Sequence, residues 1–403
     1  MGFRAVWQHQ PSRNYVSGLF LSSIGDGVQF IANSWLALQL TGSAAGVGWV
    51  LFFSSIPTVF LSPFMGVYVD RLNRKNIAVT MDIVRALIIL MVPVLYWTHG
   101  LQPWHIYLMS FMVAFCDKVF QPATRAMVRD VIPKEQLLHT NSAASIAGQL
   151  GTGLGATVSG LLIAAVSAPA AMVLNSVSFL LSAVFLAQLQ YHRSQAPVLA
   201  KATFKKDLLD GFSYIQNHKN IITVYIINAF LVMSLYTVNV LLVPFTRHQL
   251  HLGPEAAGYI DATFALGAVL GGVFIPKMVQ QKGRGMVMSA GLITMAFSLL
   301  LFSQAGTLWM AMVGYFFIGL SFSVYSLFVT VAQEQVLPEF QGRVHATFNT
   351  MFGLLSLVIY LGMGHLSDVL SERYLFVFLG VLVGVASVWS RVTLVRKMRL
   401  ETV

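Results

Sequence analysis

Five charged residues interrupt stretches of this sequence that are otherwise long and apolar: Asp26, Asp82, Arg85, Asp117 and Lys118. A carboxylate at the centre of a lipid bilayer costs about 2.5–3.5 kcal/mol on insertion scales, so its presence there indicates a function by default. Asp26 is the strongest candidate. It lies about eleven residues into its apolar stretch, and a helical rise of about 1.5 Å per residue places it near a bilayer midplane. A carboxyl group at this depth can take up a proton on one side of the membrane and release it on the other; a structural hydrogen bond to a neighbouring helix is the alternative.

The spacing of the other four residues indicates how they can be arranged. Asp82 and Arg85 are three residues apart, so on a helix they share a face and can form an ion pair that stabilises the fold. Alternatively, Arg85 lines a cavity and meets an anionic group or Asp26. Asp117 and Lys118 are adjacent, therefore about 100° apart on a helix, and we favour Asp117 as the one that faces the cavity. We predict a proton-coupling or substrate cavity that contains Asp26, Asp82, Arg85 and Asp117.

The composition shows which kind of protein holds these residues. The chain has 403 residues, of which 56% are hydrophobic and only 10% are charged, and its mean hydropathy is +0.72. A soluble domain carries about 25% charged residues, so this balance excludes a soluble enzyme, a disordered protein and a disulfide-rich secreted domain. The single cysteine, Cys116, cannot form an internal disulfide, and we expect it to pack among its apolar neighbours.

Apolar runs long enough to cross a bilayer occur twelve times in the sequence. A transmembrane helix needs about 20 mostly apolar residues, and continuously apolar runs favour helices over the alternating strands of a barrel. The predicted fold class is therefore an all-α integral membrane protein with twelve transmembrane helices in two six-helix pseudo-symmetric halves. The predicted spans are 15–40, 44–69, 76–99, 103–126, 139–166, 169–190, 220–246, 255–279, 285–304, 307–333, 344–369 and 373–395.

The distribution of positive charge predicts the orientation of these spans. With the N-terminus inside, 21 of the 25 Lys and Arg residues fall in cytoplasmic segments. Only Arg247 and Arg373 fall outside, and the other two, Arg85 and Lys118, lie within spans. This asymmetry follows the positive-inside rule. We therefore predict a multi-pass protein of the cell membrane, the plasma or inner membrane of a bacterium, with both termini in the cytoplasm.

The longest polar stretch lies at the middle of the chain and predicts its organisation. We expect an N-terminal six-helix half at 1–190, a cytoplasmic linker with an amphipathic surface helix at 191–219, and a C-terminal six-helix half at 220–403.

An internal repeat relates the two halves weakly. A shift of 205 residues aligns segment 130–133 (DVIP) with segment 335–338 (QVLP), and it aligns Gly66 with Gly271. Parallel duplications of this kind are typical of secondary transporters, in which the substrate site lies near the bilayer midplane between the halves.

The loop after the second predicted span carries a motif, Gly66-Val-Tyr-Val-Asp70-Arg71-Leu-Asn-Arg74-Lys75. It resembles the signature of the major facilitator superfamily, Gly-x-x-x-Asp-Arg/Lys-x-x-Arg-Arg/Lys. Gly66 permits close helix approach, Asp70 can face a helix N-terminus, and the arginines can bind it or nearby carbonyl groups. The family often has Gly at the position of Asn73, which also tolerates a left-handed turn. The resemblance implies that a cytoplasmic gate is formed by Gly66, Asp70, Arg71, Arg74 and Lys75.

Three further segments resemble the branch that contains macrolide-efflux-type permeases and siderophore exporters. They are Ile24-Gly25-Asp26, Pro122-Ala123 followed by Val131-Ile132-Pro133, and Gly342-Arg343-Val344. The resemblance implies a secondary active exporter that moves a drug-like or secreted small molecule outward in exchange for protons, with Asp26 cycling its proton. Drug/proton antiporters carry a Gly-Pro pair in the fifth span, whereas Gly155 is followed here by Ala156.

Other classes of function lack their motifs in this sequence. It contains no Walker loop, no Gly-x-Ser-x-Gly nucleophile motif and no metal-ligand spacing among its ten histidines. We therefore expect no enzymatic activity, cofactor, metal or nucleic-acid partner, and we expect a monomer whose partners are a small-molecule substrate, protons and the lipid bilayer. The alternatives are an importer, a lysolipid flippase or a facilitator for an anionic or amphiphilic solute, for which Arg85 and Lys118 would be suited, and a membrane sensor or scaffold that transports nothing.

Overall fold

The computed structural model describes residues 3–69, 72–191 and 204–395, and throughout these ranges the chain forms helices and no strand. The helices are α1 (Phe3–Gln8), α2 (Gln10–Thr41), α3 (Ala44–Val69), α4 (Arg74–Trp97), α5 (Pro103–Val131), α6 (Lys134–Ala165), α7 (Ala168–Ala187), α8 (Phe204–Asn217), α9 (Lys219–His248), α10 (Pro254–Lys282), α11 (Arg284–Ser303), α12 (Leu308–Phe322), α13 (Tyr325–Glu334), α14 (Gln341–Val369) and α15 (Glu372–Ser390), with a π-helical turn at Arg391–Val395.

Ten of the predicted spans each coincide with one long helix. The tenth is formed by α12 and α13 together, and the twelfth by α15 and the π-helical turn that follows it. Within the described residues, ten helical segments are long and apolar enough to cross a membrane. α2 and α5 are as long, at 32 and 29 residues, but they are more polar because they carry Asp26, Asp117 and Lys118. The predicted all-α membrane fold is confirmed.

The observed helix ends differ from the predicted ones where polar residues extend or interrupt a helix. α2 begins at Gln10 because His9 caps it, accepting a hydrogen bond from the Ser12 backbone N–H, and because a proline occupies its first turn. The tenth span breaks after Phe322, where the Ser323 hydroxyl donates to the backbone carbonyls of Ala268 and Gly319. A hydroxyl that bonds to backbone carbonyls competes with the helical ladder, which favours a break there.

The helices group into two compact units. Unit 1 comprises Met1–Gly42, Trp49–Lys201 and the short segment Gly253–Gly258, and unit 2 comprises Ser43–Gly48, Ala202–Leu252 and Tyr259–Val403. The first turn of α3 therefore belongs to unit 2, and the first turn of α10 belongs to unit 1.

Close backbone contact between α2 and α6 forms the centre of unit 1. Gly155 of α6 lies against the backbone carbonyl of Ile24, and Gly151 lies against that of Phe20. A methyl group at Gly155 would overlap the carbonyl oxygen, so only glycine permits this approach. The glycines of α6, Gly151 and Gly155, thus form part of the surface on which α2 packs.

Unit 2 has an aromatic core and includes α8. Phe245, Phe302 and Phe376 of α9, α11 and α15 pack with ring centroids 4.7–5.5 Å apart. α8 docks on the start of α14, where Asp210 pairs with Arg343 at 3.3 Å between carboxylate and guanidinium.

Candidate functional site

Two glycines fix the direction of the Asp26 side chain. Gly25 packs against Ser178 of α7, and Gly27 packs against the backbone carbonyl of Thr152 of α6. Because these neighbours leave no room for a side chain, α2 presses its glycine face onto α6 and α7. The Asp26 side chain is directed elsewhere, and 46% of its surface is exposed.

Arg85 of α4 binds carboxylates from three helices. Its guanidinium group forms ion pairs with Asp82 on its own helix and with Asp117 of α5, and its Nη1 lies 4.0 Å from Oδ1 of Asp26. Nη2 also donates to the hydroxyl of Ser22, at 3.2 Å. The structure thus brings together the four residues from which we predicted a cavity, and it pairs Asp82 with Arg85 across the expected three-residue spacing.

Two phenylalanines enclose the same guanidinium group. Its central carbon lies 4.3 Å from the ring centre of Phe120 and 4.1 Å from that of Phe179. Arg85 is fully buried, and cation–π attraction strengthens when the cation is desolvated. The packing therefore holds Arg85 in one position, where it acts as a fixed positive charge.

The three carboxylates differ in their access to the cavity. Asp82 is fully buried, and its Oδ2 accepts a hydrogen bond of 2.7 Å from Ser182 in addition to the Arg85 pair. Asp26 and Asp117 have 46% and 28% of their side-chain surface exposed. With every group ionised, three carboxylates and one guanidinium give the cluster a net charge of −2. Asp82 and Arg85 form its fixed part, and Asp26 and Asp117 are the groups that can exchange a proton or meet a cation.

The first cavity of unit 1 has a volume of about 370 Å³ and opens from this cluster toward the N-terminal end of α2. Binding sites for small organic molecules have volumes of roughly 300–1,000 Å³ and combine apolar walls with a few polar groups. The volume lies within this range, whereas the lining is mainly polar and charged. It consists of Tyr15, Leu19, Ser22, Ser23, Asp26, Arg85, Asp117, Phe120, Gln121, Thr124, Arg125, Asn141, Ala144 and Ser145.

The second cavity of unit 1 is smaller, about 190 Å³, and seven of its twelve lining residues are polar or charged. It shares Asp26 and Asp117 with the first cavity and extends toward the other end of α2. Lys118 lines neither of these two cavities. The second cavity is lined by Asp26, Gln29, Phe30, Asn33, Ser34, Val50, Leu51, Ser54, Ser110, Val113, Ala114 and Asp117.

The gate motif is described only in part. Asp70 and Arg71 lie outside the described residues, and Gly66 lies in α3 where the surroundings of the side chains are not described. Asn73 caps α4 by accepting from the Asn76 backbone N–H at 3.1 Å, and Arg74 and Lys75 form the first turn of that helix.

Arg74 has a partner that sequence reasoning did not assign to it. Its Nη1 lies 2.7 Å from Oδ2 of Asp130, at the end of α5, and both side chains are nearly buried. In the sequence, Asp130 was noted only as part of the internal repeat. Its position in the last turn of a helix could have indicated an ion pair with a basic residue such as Arg74. Ser22, Ser182, Phe120 and Phe179 were also missed, because nothing in the sequence distinguishes them from other serines and phenylalanines.

The chain combines membrane-spanning helices, an ion-paired cluster within them and two cavities that meet at the carboxylates of the cluster. These features are typical of secondary transporters. The chain matches the family of the major facilitator superfamily described as transmembrane secretion effector over residues 8–394, and it belongs to that family.

Similar proteins agree with this assignment. Over 340 residues the chain is 23% identical to the multidrug efflux pump Tap of Mycobacterium tuberculosis (strain ATCC 25618 / H37Rv), in an alignment that covers 80% of this chain and 79% of that protein. Over 394 residues it is 21% identical to the macrolide efflux protein A of Streptococcus pyogenes, covering 96% of each. The crystal structure of the nucleoside transporter NupG has the same fold, with a TM-score of 0.76, 15% identity, and coverage of 95% of this chain and 98% of that one.

Proposed function

We propose that this protein is a proton-coupled exporter of a drug-like or other secreted small molecule, and that it works by alternating access. Its membership of the transmembrane secretion effector family and its similarity to two proteins named for efflux support the direction of transport. The observation that carries the coupling is the pair of cavity-facing carboxylates, Asp26 and Asp117, held beside a buried arginine.

The charge of this cluster supports competition between protons and substrate. Three carboxylates against one guanidinium leave a net charge of −2, which a buried site tolerates poorly. Protonation of Asp26 or Asp117 reduces that charge, and so does the arrival of a cationic group. A site that can hold either protons or a cationic substrate exchanges one for the other, which is the requirement for antiport.

The same charge balance disfavours an anionic solute. Arg85 is fully buried, and its guanidinium is already paired with Asp82 and Asp117. An anion entering the first cavity would also meet Asp26, so the cluster would repel it. An importer, a lysolipid flippase or a facilitator for anionic solutes is therefore less well supported than an exporter.

Both termini lie in the cytoplasm of a bacterial cell with the protein in its plasma or inner membrane, and Asp70, Arg71 and Arg74 close the cytoplasmic side when the substrate site opens outward. The Arg74–Asp130 ion pair supports this role by tying the start of α4 to the end of α5. We further propose a monomer that has no enzymatic activity and uses no cofactor, metal or nucleic acid.

Dye transport in everted vesicles tests this proposal. Vesicles that contain the protein are energised with a proton gradient and offered a panel of fluorescent cationic dyes. We expect dye accumulation that a protonophore abolishes and that Asp26→Asn eliminates, because an amide cannot exchange a proton. Asp26→Glu, which keeps the carboxyl group, is expected to retain part of the activity.

The matched control is Asp210→Asn, the same chemical change in α8 of unit 2, where Asp210 pairs only with Arg343 among its described ion pairs. It is expected to transport like the unaltered protein. Full proton-driven accumulation by Asp26→Asn would remove Asp26 from the mechanism. Absence of accumulation for every dye, with folded protein present in the vesicles, would contradict a cationic drug-like substrate.

A further inference from the structure

The two cavities of unit 1 meet the same two carboxylates from opposite ends of the helices. The first runs along α2 toward Tyr15 and along α5 toward Arg125. The second runs along α2 toward Asn33 and along α5 toward Ser110, on the other side of Asp117. Asp26 and Asp117 therefore lie where the two meet, in the middle of α2 and α5.

The second cavity has the size and chemistry for water and small cations. Its volume of about 190 Å³ corresponds to roughly six water molecules at about 30 Å³ each, and it falls below the roughly 300 Å³ of typical drug-sized sites. Five of its side chains end in a hydroxyl or amide group besides the two carboxylates. Those five are Gln29, Asn33, Ser34, Ser54 and Ser110.

Two of these groups have polar atoms that no protein group satisfies. Oδ1 of Asn33 and Oγ of Ser34 are buried without a hydrogen-bond partner, although Nδ2 of Asn33 donates to Ser110 at 3.4 Å. Asn33 is 4% exposed and Ser34 is fully buried, and both line the second cavity. An unsatisfied buried polar group costs about 1–3 kcal/mol, so acceptor atoms placed here are suited to bind water or a hydrated cation.

We propose that the second cavity is the passage through which the coupling cation reaches Asp26 and Asp117 from the extracellular side, and that the substrate does not use it. The inference rests on the proposed function and on cytoplasmic termini, which place this end of α2 outside. The cation is a small monovalent one, a proton carried by water or Na⁺. The charged groups that face the two carboxylates are Asp82 and Arg85 of α4, and Arg125 of α5 lies further along the first cavity.

The first test replaces the amide by an apolar side chain with the same branching at Cγ. Asn33→Leu is compared with Asn14→Leu, a buried asparagine of the same helix that lines neither cavity and bonds to Gln188. Transport is measured against external proton concentration, and substrate binding is measured on the purified proteins. We expect Asn33→Leu to need about tenfold more external protons for its half-maximal rate, as the loss of a hydrogen-bonding group predicts, with unchanged substrate affinity. Asn14→Leu is expected to leave that proton requirement unchanged.

The second test measures access directly and does not depend on the leucine variants folding. Single cysteines are placed at Ser54 of the second cavity and Ser145 of the first, in a Cys116→Ala chain. A membrane-impermeant cationic thiol reagent is then added to intact cells or to everted vesicles. We expect labelling of the Ser54 position from outside and of the Ser145 position from inside. Ser176→Cys, at a buried site on α7 that lines neither cavity, is the unlabelled control.

The outcomes separate this inference from the proposed function. If the Ser54 position is labelled only from the cytoplasmic side or not at all, or if a folded Asn33→Leu keeps the normal proton requirement, the passage is refuted while proton coupling stands. If transport and external labelling require a Na⁺ gradient, the passage is supported and the coupling proton is replaced by Na⁺. If no ion gradient drives transport, both proposals fail.

Discussion

The centres of the two units differ more than the weak repeat between them suggests. Unit 1 places Asp26, Asp82, Arg85 and Asp117 together in the middle of its helices. The positions 205 residues further on are apolar, Leu231, Val287, Ala290 and Phe322. Among the described residues of unit 2, the ion pairs lie instead near the ends of the long helices or between α8 and the start of α14. Asp261, half-buried in α10, is the one carboxylate well inside a span of that described part. The intramembrane ion pairs of the described chain are thus concentrated in one unit.

The helix ends show what the two units have in common. Arg74 at the start of α4 pairs with Asp130 at the end of α5, and Arg284 at the start of α11 pairs with Glu334 at the end of α13. In both units, a basic residue at the start of the third span pairs with an acidic residue at the end of the fourth span. The repeat is therefore visible at the helix ends, whereas the centres of the helices have diverged.

The largest effect is expected from removing the buried positive charge at the centre of unit 1, which the described part of unit 2 lacks at its centre. Arg85→Met leaves three carboxylates in unit 1 without a counter-charge, and breaking a buried pair in this way costs about 3–5 kcal/mol. We expect loss of folded protein, measured by size-exclusion chromatography of a fluorescent fusion and by the melting temperature in detergent. The double variant Arg85→Met with Asp82→Asn should recover part of the folded yield. A fully stable Arg85→Met would show that the cluster does not hold unit 1 together.

The second prediction asks whether the coupling function belongs to unit 1 alone. Asp117→Asn is expected to reduce proton-driven transport by about a hundredfold, in line with the loss of a positioned proton carrier, while folding is retained. Asp261→Asn is the control in unit 2, and it should change the transport rate by less than about twofold if coupling is confined to unit 1. Equal losses in both variants, measured in the same vesicle assay, would show that unit 2 shares the function.

The third prediction concerns a buried carboxylate that has only a structural role. Glu372 of unit 2 is 1% exposed, accepts from Gln249 at 2.6 Å and from Ser367 at 3.0 Å, and lies 2.9 Å from His248. Glu372→Gln weakens these charge-assisted bonds, and we expect a loss of about 1–3 kcal/mol in stability. Proton dependence should stay unchanged, and a shift in the pH profile of transport would give this cluster a role in coupling.

The smallest effects compare the two helix-end pairs. Arg74 and Asp130 have only 13% and 12% of their side chains exposed, whereas Arg284 and Glu334 have 45% and 50%. Solvent screens exposed pairs, so Arg284→Gln is expected to cost about 0–1 kcal/mol. Arg74→Gln should cost more, about 1.5–3 kcal/mol, because hydrogen bonds to charged groups count more when they are shielded. Melting temperatures measured side by side check the order, and a larger loss for Arg284→Gln would reverse it.

Much of the fold could be predicted from local sequence because a bilayer imposes a simple rule. A run of about 20 apolar residues must satisfy its backbone groups within itself, so it forms a helix. The break at Ser323 could not be predicted in this way, since it depends on a carbonyl group of α10, more than fifty residues away along the chain.

For the candidate site, the sequence by itself determined which residues were available. It showed that Asp26, Asp82, Arg85 and Asp117 interrupt apolar runs, and helix geometry placed Asp82 and Arg85 on one face. Each of these statements depends on one helix at a time, which is the range over which hydropathy and spacing act.

Only the tertiary structure decided how these residues are divided between fixed and exchangeable charges. The glycines of α2 bring it against α6 and α7, and this packing sets Asp26 beside Arg85 and Asp117 at the meeting point of two cavities. Asp82 is fully buried and bonded both to Arg85 and to Ser182, a residue one hundred positions away. Burial and ion pairing depend on distances between helices, and those distances are set by side-chain packing that no single span contains.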